Sequence, residues 1–173
     1  MARRTLMADA LLWLFVITFS LQMGAGLYEM RVVTPLWSNS PPESVHEWNV
    51  ETRYTILPRE SFWRYCTPAV GLTAIGALIS GWGLRGKRRK WLLLATLPVI
   101  AMVFVTYAYF APTLAEMLGK GGEGLSDQQL IGKVNQWLAL SRLRAAVYTF
   151  AWLSALRALS IPATLQKVVE EKV

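Results

Sequence analysis

The sequence predicts an all-α fold: an integral membrane antiparallel four-helix bundle, N- and C-termini cytoplasmic, with an ordered external loop between helices 1 and 2. Three observations carry this expectation. Of 173 residues 54% are apolar and eight are tryptophan, an excess over what a soluble domain of this length ordinarily contains. These residues gather into four runs of low charge. The basic residues also divide unevenly: the N-terminus, the hexamer RGKRRK at 85–90 and the end from Arg157 hold ten of the eighteen, whereas the opposite connections hold Glu43, Glu47, Glu51, Glu60, Glu116, Glu123 and Asp127. An excess of Lys and Arg marks the cytoplasmic side of a membrane protein. One transmembrane domain is therefore expected over residues 1–173, with spans at about 10–30, 67–84, 91–111 and 137–161.

The first run, Ala10–Tyr28, has nineteen residues without a charge, close to the roughly 20 that cover about 30 Å of hydrocarbon as a helix. Arg3 and Arg4 ahead of it, with Gly24 and Gly26 near its end, also fit a signal peptide, but the run exceeds a usual h-region and a span is expected. The two glycines are expected to allow close helix contact. The second run, Pro68–Leu84, begins at a proline, which suits a first helical turn. Ala69, Thr73, Ala77 and Gly81 then recur every fourth residue, a row of small side chains that lets helices approach closely in lipid.

The third run, Trp91–Ala111, is uncharged for twenty-one residues, with Trp91 at one end and Tyr107, Tyr109 and Phe110 at the other as interfacial belts. Pro98 removes a backbone hydrogen bond and is expected to kink it. The fourth helix starts near Asp127, where Ser126 and Gln129 read as a capping box, and ends at Pro162. Arg157, one turn earlier, is expected to snorkel to the inner interface. The external loop, residues 34–62, carries Trp37, Trp48, His46, Pro41 and Pro42. With Trp63 beyond it, it is expected to form a short cap over the bundle mouth.

The net charge of +7 does not indicate a nucleic-acid partner, since its densest cluster is a membrane loop. One cysteine, Cys66, excludes an intramolecular disulfide, and one histidine, His46, excludes CxxC and HExxH metal patterns. No metal site is expected, and the sequence leaves the identity of any cofactor open. Thr18, Gln22, either Ala25 or Gly26, and Glu29 form a polar stripe on the first helix. On the fourth, Asn135 and Arg142 are seven apart on one face, and Arg144 and Tyr148 are four apart on another. If these stripes face each other, Glu29 and Arg142 line an outward-opening pocket. The alternative is that Glu29, Arg31, Arg142 and Arg144 all stand in the headgroup layer.

The segments GLYEMRVVTPLW (Gly26–Trp37) and VNQWLALSRLR (Val134–Arg144), on a first and a last helix around a proline-containing external segment, resemble the anthrone-oxygenase-like family of small four-helix membrane proteins. The resemblance implies an outer polar pocket for a hydrophobic, aromatic or quinone-like molecule, with Glu29, Trp37, Asn135, Trp137 and Arg142 as candidates by position. On this reading Glu29 is a base for a carbon-bound proton, and Arg142 with Asn135 holds the oxyanion. Gln22, Trp37, Trp137 and Tyr148 then contact the ligand. The expected setting is the bacterial inner membrane, with membrane lipids and a hydrophobic small molecule as partners. The alternative is a lipid-binding or assembly subunit forming a homo-oligomer through the small-residue row of helix 2.

Overall fold

The computed structural model describes residues 2–52, 62–84, 86–119, 122 and 124–161. Arg85, Glu60, Glu123, Pro162 and the C-terminal lysines, together with the side chains of Arg3, Arg4 and Glu51, lie outside what is described. Every regular element among the described residues is helical. Helix α1 (Ala2–Tyr28) runs through a π turn (Glu29–Val33) into α2 (Thr34–Ser38), and α3 (Glu43–Thr52) follows. Helix α4 is Phe62–Ser80. Helix α5 (Gly86–Val105) continues through a second π turn (Thr106–Phe110), α6 (Ala111–Leu114) and a third π turn (Ala115–Gly119), and α7 is Asp127–Ser160. Two stretches, Leu6–Ser38 and Gly86–Leu118, are helices long and apolar enough to cross a membrane.

Prolines explain where the first two π turns fall. Pro35 and Pro112 each stand at the start of the short helix that follows. A proline offers no N–H, and its ring presses on the carbonyl one turn earlier. Widening that turn absorbs the misfit without ending the helix. The N–H of Thr34 accordingly reaches back to the Glu29 carbonyl, and that of Ala111 to Thr106. At α7 the Ser126 hydroxyl accepts from the Gln129 N–H at 3.4 Å, and the Gln129 side chain accepts from the Ser126 N–H at 2.9 Å.

Around the molecule α1 packs on α4, α4 on α5, α5 on α7 and α7 on α1. Thr18 and Thr73 share a hydroxyl hydrogen bond at 2.9 Å between α1 and α4, and the Trp152 indole donates to Ser20 at 2.9 Å between α7 and α1. One core contains Leu12, Phe15, Phe19, Val70, Val99 and Ala155. A second, around Trp37, Val45, Phe110, Leu130, Val134 and Trp137, gathers α2, α3 and the start of α7. Facing outward are Trp13, Ile17 and Leu21 on α1, Leu72 and Ile79 on α4, Leu97 and Phe104 on α5, and Phe150 and Leu153 on α7.

Several elements differ from the sequence expectation. Residues 34–38 and 43–52 of the external loop are helical, because Pro41 and Pro42 occupy the turn between α2 and α3 and leave both helices intact. The first turns of α5 absorb residues 86–90 of the basic hexamer, and Arg88 turns inward to pair with Asp9 across the ring. Among the described residues helix α4 is already formed at Phe62, six residues ahead of Pro68. A Cβ on Gly24 would meet nothing within 4 Å, so that glycine serves no close contact. In the small-residue row, Thr73 bonds to α1 and Gly81 lies against Leu92 of α5.

Candidate functional site

Between the two cores lies a group of polar side chains drawn from four helical segments. Glu29 opens the first π turn and Thr106 opens the second. Both turns thus carry a polar residue at the point where helix geometry changes, and π turns frequently occur at functional sites. Arg144 and Tyr148 are one turn apart on α7, a spacing that places them on a common face. Gln22 joins from α1 and Trp63 from the start of α4.

The Trp63 indole N–H lies within reach of the Glu29 carboxylate, and Glu29 and Arg144 stand in each other's electrostatic field. They do not, however, close an ion pair: within 4.0 Å, the pairs formed among the described residues are Asp9–Arg88 and Glu116–Lys133. The Arg144 guanidinium carbon lies 4.0 Å from the Phe110 ring centre and 6.0 Å from that of Trp137. Such stacking holds a cation over the negative faces of aromatic rings. Trp137 itself meets Trp37 edge-on at 5.4 Å and donates to the Phe110 carbonyl at 3.3 Å.

Deeper in, the Tyr148 hydroxyl lies within reach of Thr106 and Gln22 but closes a bond with neither. It is buried, as is Gln22 Oε1, which also has no partner. Buried polar atoms in folded proteins nearly always have a partner, from protein, water or ligand. Below them Phe19 packs edge-on against Tyr148 at 5.4 Å and stacks on Phe15. The polar group therefore has an aromatic floor, and at its other end the Trp37–Trp137 pair forms a wall.

Of the residues singled out in sequence, Glu29, Gln22, Trp137 and Tyr148 come together here, and Trp37 borders the group. Arg142 and Asn135 do not: both are exposed, on the sides of α7 turned away from Trp137, Ser141 and Tyr148. The cation beside Glu29 is Arg144. The convergence expected of Glu29 and Arg142 is corrected on this point, because spacing by seven from Asn135 follows the wrong side of α7. Trp63 and Thr106 were not anticipated in the site. Thr106 had a signal, as a polar residue in an uncharged span ahead of a proline. His46 is exposed on α3, and among the described residues no three His, Cys, Asp or Glu side chains gather as a metal site.

Comparison with protein-family models, with characterised proteins and with solved structures finds no match.

Proposed function

We propose that this is a multi-pass protein of the bacterial inner membrane, with four spans and both termini cytoplasmic, that binds a hydrophobic aromatic or quinone-like molecule at its outer end. Apolar outward faces on α1, α4, α5 and α7 support the four-span reading, since lipid is the solvent in which such faces incur no hydration cost. The observation that carries the binding reading is Arg144. It is a cation stacked on Phe110 and Trp137, next to a carboxylate with which it forms no ion pair. Ionisable groups within a membrane segment are functional candidates, and an unpaired opposition of charges beside orphaned polar atoms suits a polar ligand group set on an aromatic ring. The resemblance of GLYEMRVVTPLW to the anthrone-oxygenase-like family agrees with this ligand class. In a catalytic extension, Glu29 takes a proton from the bound ring and the electron pair left behind moves onto an oxygen held by Arg144.

The test is calorimetric titration of the full-length protein in mild detergent with menadione and with its hydroquinone, menadiol. Micelle partitioning is the same for every variant, so the specific signal is the difference between wild type and Arg144→Ala. At least one form is expected to bind, with affinity about tenfold or more weaker in Arg144→Ala, as expected when a buried polar ligand loses its charged partner. Glu29→Gln serves as a second variant if Arg144→Ala alters the melting profile. Identical titrations for wild type and both folded variants would reject the binding reading.

A further inference from the structure

Resting on that binding reading, we infer that the ligand group held between Glu29 and Arg144 is a hydroxyl, so that the site takes an aromatic hydroxy compound of the hydroquinone class and discriminates against the quinone. The inference comes from a balance of donors and acceptors. The acceptors are the Glu29 carboxylate, which has the single Trp63 N–H within reach, and Gln22 Oε1, buried and without a partner. The donors are the N–H groups of Arg144, which form no hydrogen bond or ion pair among the described residues and whose guanidinium lies over the Phe110 and Trp137 rings. The Tyr148 hydroxyl, buried and unbonded, can do either.

A group seated there must therefore give one hydrogen bond and accept at least one. A hydroxyl does both. A quinone carbonyl only accepts: it satisfies Arg144 or Tyr148 but sets its lone pairs against those of Glu29. Rotating the Gln22 amide would turn that residue into a donor, yet Glu29 would still require one. The surroundings select a ring to carry the hydroxyl, because the polar atoms stand among the aromatic side chains of Phe110, Trp137, Trp63 and Tyr148. A site that hydrogen-bonds a ligand hydroxyl rejects an analogue lacking it far more strongly than a site that merely fits its shape, since buried groups are left unpaired.

The experiment titrates wild type under argon with menadiol, menadione and the dimethyl ether of menadiol, three molecules sharing one ring system. Menadiol is expected to bind about tenfold or more tightly than menadione. The ether, which accepts but cannot donate, should bind no better than menadione. In Glu29→Gln the new amide offers a donor as well as an acceptor, and the preference for menadiol should shrink to about threefold or less while binding persists. Menadione or the ether binding as tightly as menadiol would overturn the hydroxyl inference and leave the binding reading standing, because the protein would then itself be supplying the donor at Glu29. Failure of all three to bind a protein with an unchanged melting profile would remove both.

Discussion

Arg144 shows what a single side chain decides here. Its planar guanidinium lies over Phe110 at 4.0 Å and near Trp137, whereas a lysine at the same position would bring a compact, strongly hydrated charge that cannot stack in the same way. Arg144→Lys is therefore expected to lose about tenfold in affinity for an aromatic ligand despite unchanged charge, a step consistent with a cation–π contact of roughly 1–2 kcal/mol. Arg142→Ala and Asn135→Ala should stay within about twofold of wild type, because exposed side chains away from the site rarely move a binding constant. Titration of the three variants side by side checks this, and a loss confined to Arg142→Ala would return the site to the other face of α7. Both arginines were visible in the sequence, two residues apart. Choosing between them required knowing which side of α7 meets α1, and in a helix with Leu143, Phe150 and Leu153 facing outward apolarity does not mark the inside.

Glycines separate by what surrounds them within an element. A Cβ on Gly81 would come 2.1 Å from Leu92 Cδ2 and 3.0 Å from the Ala77 carbonyl oxygen, and Leu92 is itself in the core. Gly81→Ala is expected to destabilise by about 1–3 kcal/mol, the usual scale of overpacking. Gly24→Ala, exposed inside α1 with open space around it, should be neutral or stabilising by about 0.5–1 kcal/mol through helix propensity alone. Thermal unfolding in one detergent reads both, and equal shifts for the two variants would contradict the packing described. Caps and long uncharged runs were legible in sequence: Ser126 and Gln129 announced the start of α7. The π turns were not. A single widened turn leaves the apolar pattern on either side unchanged, and only Pro35 and Pro112 hinted at where the helices would adjust.

Across the whole molecule, the Asp9–Arg88 pair joins α1 to α5, which are not neighbours in the ring. The two partners are unequal: Arg88 is 6% exposed along its side chain and Asp9 41%. Removing the exposed partner strands a buried cation, whereas removing the buried one leaves a carboxylate that water can reach. Asp9→Asn should therefore lower the melting temperature more than Arg88→Met, and the double variant should fall closer to Arg88→Met than to Asp9→Asn. Melting curves for the four proteins test the ordering, and equal effects of the two single variants would count against an asymmetric buried pair. No spacing rule foretold this contact, since 79 residues separate its ends and the hexamer reads from sequence as a solvated loop.

The same pair has a consequence for how the chain is made. Synthesis runs from the N-terminus, so α1 and α4 leave the ribosome before Arg88 does. Until α5 follows, Asp9 has no counter-charge across the ring, and its half-exposed carboxylate stays in reach of water. The contact is thus ordered in time: the Asp9 carboxylate is already in place when Arg88 appears, so the cation that ends up buried never lacks its partner.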